Sequence, residues 1–116
     1  GDFSAAEAKL ARLADGSKDP DLRTVARLRL ARVLLAQGRY DDALAALDQA
    51  AMPAIDARVL ELRGDVRLAQ GDREGALEQW RKAEAAVAAD PAAAGQIDAE
   101  LLQLKIAELG TVPAAK

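Results

Sequence analysis

The feature that most constrains the fold is an internal repeat with a period of 33 residues. Residues 35–38 (Leu-Ala-Gln-Gly) recur without a gap at 68–71, and the same shift aligns eight identical residues between 28–50 and 61–83. A partial third copy opens the chain, because Gly1, Phe3, Ala6 and Leu10 repeat the spacing of residues 38, 40, 43 and 47. A period of roughly 20 to 50 residues is typical of stacked repeats, in which each unit buries its apolar face against its neighbours.

Each unit has the pattern of two antiparallel α-helices joined at a glycine. Apolar residues recur at spacings of three and four on both sides of Gly38 and Gly71, and glycine readily takes the left-handed conformation that ends many helices. Asp19 and Pro20 supply an N-cap and a first-turn proline, and Pro53 ends the unit. We therefore predict an all-α fold in a single domain, 1–110: a partial repeat at 1–17, full repeats at about 20–53 and 55–89, a capping helix at 92–109, and an unstructured tail at 111–116.

The small residues within these hairpins resemble the tetratricopeptide repeat. Ala31 and Gly64 are predicted to let two helices approach closely, while Leu47 and Trp80 fill the gap beside them. Arg73 departs from the pattern, since it stands where the first unit has a tyrosine. The resemblance implies a tetratricopeptide-repeat-like, right-handed stack of antiparallel helical hairpins with a C-terminal capping helix. It rests on Ala31, Gly38, Tyr40, Ala43, Leu47 and Ala50, and on Gly64, Gly71, Ala76, Trp80 and Ala83.

Composition argues against catalysis and against nucleic acid as a partner. The chain has no cysteine and no histidine, so Ser-His, Cys-His and histidine-based metal chemistry are excluded within it. Its net charge of −3 lacks the basic excess that a phosphate backbone favours, and no apolar run is long enough to cross a membrane. Glycine-rich phosphate loops are absent, and the adjacent Asp41 and Asp42 point about 100° apart near an exposed turn. We predict a non-enzyme with no cofactor, no metal and no small-molecule substrate.

A narrower resemblance covers residues 22–109. The strings Leu-Arg-Leu-Ala-Arg-Val at 28–33, Tyr-Asp-Asp-Ala-Leu at 40–44, Leu-Arg-Gly-Asp at 62–65 and Leu-Leu-Gln-Leu-Lys-Ile at 101–106 are similar to the ancillary SecYEG translocon subunit family. This resemblance implies a periplasmic repeat domain behind a single N-terminal anchor in the bacterial inner membrane. It also implies partners: the SecYEG channel, a periplasmic prolyl-isomerase-like chaperone and newly translocated, unfolded clients. Because the sequence opens at Gly1 without an initiator Met, we expect a fragment whose anchor lies upstream.

Two surfaces are candidates for protein binding. In a tetratricopeptide array the first helices of successive hairpins line a concave groove, and the alternative for any one groove residue is plain solvated surface. The last helix carries a second apolar stripe that is either a contact surface or a wide face bedded between its neighbours. The groove residues are Leu28, Arg32, Leu35, Arg58, Glu61, Asp65 and Leu68, with leucines expected to be exposed, and the second stripe is Leu102, Ile106 and Leu109.

The function predicted from these patterns is that of a non-catalytic docking module. It would hold a chaperone, the channel or an emerging client near the exit of the secretion channel. Two alternatives stay open at this point: a tetratricopeptide scaffold of another bacterial envelope assembly, and a self-associating repeat in which the helix at 3–14 and the last helix stack on a neighbouring copy.

Overall fold

The computed structural model describes residues 3–111, and this range is all-α, as predicted, with no strand. It contains six α-helices and one 3-10 helix at Pro91–Gly95. The α-helices are α1 (Phe3–Gly16), α2 (Pro20–Ala36), α3 (Tyr40–Asp48), α4 (Ala57–Ala69), α5 (Arg73–Ala89) and α6 (Ala99–Thr111).

The chain divides into two compact units between Pro53 and Ala54. The first unit holds α1, α2 and α3, and the second holds α4, α5, the 3-10 helix and α6. The single-domain organisation and the right-handed stack stay predictions.

In the first unit, α2 begins where the sequence indicates. The carboxylate of Asp19 accepts hydrogen bonds from the backbone N–H groups of Asp21 (2.9 Å) and Leu22 (3.4 Å), and Pro20 opens the helix. Gly38 ends the hairpin turn at φ 73°, a conformation that favours glycine. Buried residues from all three helices form the core of this unit: Ala14, Ala26, Leu28, Ala31, Leu34, Ala43, Ala46 and Leu47.

The second unit repeats this hairpin in α4 and α5. Asp56 caps α4 by accepting from the backbone N–H of Arg58 (3.0 Å), and Asp72 caps α5 by accepting from that of Gly75 (2.8 Å). Gly71 turns the chain at φ 84°, which confirms both predicted glycine turns. One core cluster joins α4, α5 and α6 and contains Leu60, Ala76, Trp80, Ala83 and Leu102.

The predicted helix at 92–109 is wrong in its first part. Pro91–Gly95 forms a 3-10 helix whose cap, Asp90, accepts from the N–H of Ala92 (3.1 Å). A second aspartate, Asp98, then accepts from the N–H of Leu101 (2.9 Å) and starts α6 anew. Two successive aspartate caps thus divide into two helices a segment that apolar spacing alone predicts to be one helix. Gly1, Asp2 and most of the predicted tail, 112–116, lie outside the described residues, while Thr111 belongs to α6.

Candidate functional site

Three of the predicted groove residues lie on α2. Arg32 is exposed and Leu35 is half-buried, but Leu28 is only 7% exposed. The expectation of an exposed leucine at position 28 is therefore wrong. Leu28 shares the buried side of α2 with Ala31 and Leu34, because residues at successive spacings of three lie only about 60° apart around a helix.

The four groove residues on α4 differ in how much they are already engaged. Arg58 is half-buried and donates to Asp56 through Nε (3.1 Å to Oδ1) and Nη2 (2.8 Å to Oδ2). This two-point pairing fixes the guanidinium plane beside the cap of α4. Leu68 is 43% exposed near the end of the helix and is the most accessible leucine of the set.

Glu61 and Asp65 are joined to α6 by Lys105. Its ammonium lies 2.7 Å from Oδ1 of Asp65 and 3.4 Å from Oε2 of Glu61, and the three side chains are between 15% and 26% exposed. Half-buried ion pairs with hydrogen-bond geometry are screened less by solvent and salt than exposed ones. Two of the predicted binding carboxylates therefore hold the last helix against the hairpin.

Trp80 completes this cluster from α5. Its indole N–H donates to the carbonyl oxygen of Glu61 (3.1 Å) and to Oδ1 of Asp65 (3.2 Å). Lys105 Nζ sits 4.9 Å from the centroid of the ring, within the range of a cation–π interaction. Trp80 is 2% exposed, which confirms that it is a buried wedge.

Gly64 makes this wedge fit. A Cβ added at Gly64 would overlap the indole ring of Trp80, so only glycine permits the ring to lie against α4. The predicted close approach of the two helices is confirmed at Gly64. Ala31, at the same repeat position in the first hairpin, is fully buried.

The second candidate surface is largely internal. Leu102 is 1% exposed, and Ile106 and Leu109 pack against the same core cluster. The first alternative, a contact surface, is therefore wrong for Leu102, and the second alternative, a wide face bedded against its neighbours, accounts for these three residues. The apolar residues that α6 leaves open are Leu101 and Leu104, at 49% and 52% exposure.

Lys105 is the residue that sequence reasoning missed. It is 40 residues from Asp65 in the chain, and no local spacing rule links them. Its only sequence signal is the Lys-Ile pair in the string at 101–106, which the family resemblance marked without giving it a contact.

These contacts tie α6 to the hairpin of α4 and α5, and we call their four residues the clasp: Glu61, Asp65, Trp80 and Lys105. Within residues 3–111 no group of three or more His, Cys, Asp or Glu side chains could hold a metal ion. None of the helices described is long and apolar enough to cross a membrane. Both hairpins have exposed apolar and charged side chains on their helices, and surfaces of this kind commonly bind other proteins.

This architecture defines a class, and sequence comparison agrees with it. The chain belongs to the tetratricopeptide repeat-like domain family, whose model matches residues 1–111. No solved structure matches it significantly.

Particular relatives confirm the narrower resemblance. The chain is similar to proteins named ancillary SecYEG translocon subunit from three bacteria. The identity is 37% over 83 residues for Haemophilus influenzae (72% of this chain and 41% of the relative). It is 43% over 68 residues for Escherichia coli (59% and 32%) and 36% over 81 residues for Neisseria gonorrhoeae (70% and 39%). The chain thus spans less than half the length of these curated relatives.

Proposed function

We propose that this chain is a non-catalytic protein-interaction module of a membrane-anchored accessory subunit of the SecYEG translocon. It works on the periplasmic side of the bacterial inner membrane, where it docks the channel, a prolyl-isomerase-like chaperone or emerging clients. The observation that carries the proposal is the 37% identity over 83 residues to a relative named for that translocon. The helical hairpins support it, because repeats of this kind act by presenting surface to other proteins.

The chemistry of the exposed side chains suits a protein segment. Arg32 on α2 is a charged and accessible side chain, whereas Leu35 and Leu68 offer apolar surface on first helices of hairpins. Charged and apolar side chains of this kind, on the first helix of each hairpin, match an extended peptide or a helix better than they match an anion, which would need several basic side chains together.

Glu61 and Asp65 contribute to this surface indirectly. Because Lys105 already pairs with both, their role in the proposed docking is to keep α6 in place while other side chains meet the partner. Reversing the charge of Asp65 would break this internal clasp. A loss of partner after that change would therefore say nothing specific about docking.

The test is recovery of partners from native membranes. The full-length protein is tagged and isolated in mild detergent, and its partners are identified by mass spectrometry. We expect enrichment of the channel subunits together with a periplasmic chaperone. Recovery of a different envelope assembly without the channel would overturn the secretion role and favour the general scaffold.

A groove variant locates the surface in the same experiment. Arg32→Glu combined with Leu68→Gln changes two accessible positions, and the helical circular dichroism should stay as it is. We expect partner recovery to fall. Arg12→Glu, at an exposed position on α1, is the control for a charge reversal outside the groove set.

A further inference from the structure

The outer face of α6 carries a pair of leucines that residues 3–111 leave about half exposed. Leu101 and Leu104 point about 60° apart and are 49% and 52% exposed. On another side of the same helix, Leu102 is sealed in the core cluster with Trp80. Helix α6 is therefore apolar on two sides, and only the side with Leu102 packs into the core of its unit.

A comparison with α4 shows what the open side corresponds to. Residues 60–63 (Leu-Glu-Leu-Arg) and 102–105 (Leu-Gln-Leu-Lys) share a pattern, and Leu60 and Leu102 lie in the same core cluster. Two positions on, Leu62 is 1% exposed while Leu104 is 52% exposed. Helix α6 thus has the apolar pattern of a hairpin's first helix, but the position that α4 buries is left open.

Carboxylates border this open face. Glu100 precedes Leu101 and Glu108 lies one turn beyond Leu104, and both are exposed. The basic residue of the helix does not offset them there, because the ammonium of Lys105 is held on the inner side by Asp65 and Glu61. The leucine pair is therefore apolar in the middle and acidic at both ends.

We propose that the leucine pair of α6 is a docking surface for an amphipathic helix of a partner protein with lysine or arginine on either side of its apolar residues. A helix fits because residues three and four apart form ridges that interlock with those of another helix. Basic flanks fit because Glu100 and Glu108 lie at the two ends of the face. This inference rests on the proposed function, since it gives that interaction module a surface and its partner a chemistry.

The test uses two labelled helical peptides and the complete chain. Both peptides carry leucines at positions i, i+3 and i+7. One has lysines on both flanks, and the other has glutamates in their place. Binding is measured by fluorescence anisotropy at low and at high salt. We expect the lysine peptide to bind, to bind more weakly at high salt, and to bind far better than the glutamate peptide.

Variants assign the binding to the leucine pair. Leu101→Gln with Leu104→Gln keeps helix propensity and should weaken lysine-peptide binding by about tenfold or more. Glu100→Gln with Glu108→Gln should remove most of the salt dependence. Leu13→Gln with Leu22→Gln alters two exposed leucines elsewhere, at 44% and 42%, and should leave binding unchanged.

Four results would overturn the proposal, and three of them concern the peptides. These are no binding of the lysine peptide, equal binding of both peptides, or binding that survives the change at Leu101 and Leu104. A wild-type dimer in light scattering that the same double variant abolishes would make a second copy the occupant, and would overturn it as well.

The membrane experiment separates this inference from the proposed function. If the full-length Leu101→Gln, Leu104→Gln variant still recovers the channel and chaperone, the surface is wrong and the function stands. If the wild-type protein recovers neither, the function fails whatever the peptides do.

Discussion

The two hairpins place different residue types at the same two repeat positions, one on each helix. In the α2–α3 hairpin the small residue is Ala31 and the large one at the paired repeat position is Leu47, and both are fully buried. In the α4–α5 hairpin, the same positions are Gly64 and Trp80. Compared with the first hairpin, the second has no methyl group at the position on its first helix and has an indole ring in place of the leucine side chain on its second helix. The comparison teaches that the repeat keeps both positions buried more strictly than it keeps the residue types.

The exchange also changes how the hairpin connects to the last helix. Leu47 has no polar atom in its side chain, whereas the indole N–H of Trp80 reaches Asp65, which in turn holds Lys105 of α6. Arg73 also connects the second hairpin to the last helix, and the first hairpin has a tyrosine at this repeat position. Its Nε donates to the carbonyl oxygen of Leu109 (3.2 Å) in the last turn of α6, where a cation is favoured. The departure from tyrosine at this position thus gives the second unit another tie to its last helix.

The largest effect is expected for Trp80→Ala. It removes a buried indole, leaves a cavity and frees one member of the clasp, so we expect a loss of about 3 to 5 kcal/mol in the free energy of unfolding. Urea unfolding followed by circular dichroism measures it. Leu47→Ala is the matched change in the first unit and should cost less, at about 2 to 4 kcal/mol. An unfolding midpoint that Trp80→Ala does not move would show that the ring is not core.

Gly64→Ala tests whether the glycine is required by the ring. The added methyl group meets the indole, so we expect a net loss of about 1 to 3 kcal/mol despite the better helix propensity of alanine. The double variant Gly64→Ala, Trp80→Leu copies the first hairpin and should be less destabilised than the two single changes add up to. Strict additivity of the two effects would contradict this account of the hairpins.

Local patterns in the sequence predict most of this fold. The glycine turns at 38 and 71, the cap at Asp19 and the wedge role of Trp80 depend on residues within one hairpin or one repeat. Periodicity and turn chemistry describe such short-range relations well. The prediction of one continuous helix was wrong at 92–98, because the spacing of apolar residues does not show that Asp98 caps a new helix there.

The candidate site was harder to predict because it depends on contacts between distant residues. Which face of α6 is buried is decided by its packing on Leu60 and Trp80, and neither is near Leu102 in the chain. For this reason the sequence offered the stripe of Leu102, Ile106 and Leu109 as the possible contact surface, whereas the exposed apolar pair is Leu101 and Leu104. Repeat position likewise placed Glu61 and Asp65 in the groove without revealing that Lys105 holds them.

Lys105→Met measures the clasp on its own. Methionine keeps an apolar stem beside the ring and removes the charge, leaving two half-buried carboxylates without their cation. We expect a loss of about 1 kcal/mol, smaller at high salt. Hydrogen exchange should increase mainly in α6, because its tie to α4 is weakened. Equal increases in all helices would argue that the clasp does not act locally.

Arg39→Gln gives the smallest effect and sets the scale for the clasp. Arg39 pairs with Asp42 (3.0 Å) and Glu7 (2.8 Å), so it resembles Lys105 in having two carboxylate partners. The hydrogen bond to Asp42, followed by the one to Glu7, raises the pKa of Arg39 above its ordinary value, and the guanidinium stays charged at any working pH. Its side chain is 42% exposed, however, against 25% for Lys105, so water and salt screen its pairs more strongly. We therefore expect no resolvable shift in the thermal midpoint at physiological salt. A shift as large as that of Lys105→Met would show that burial is not what distinguishes the two pairs.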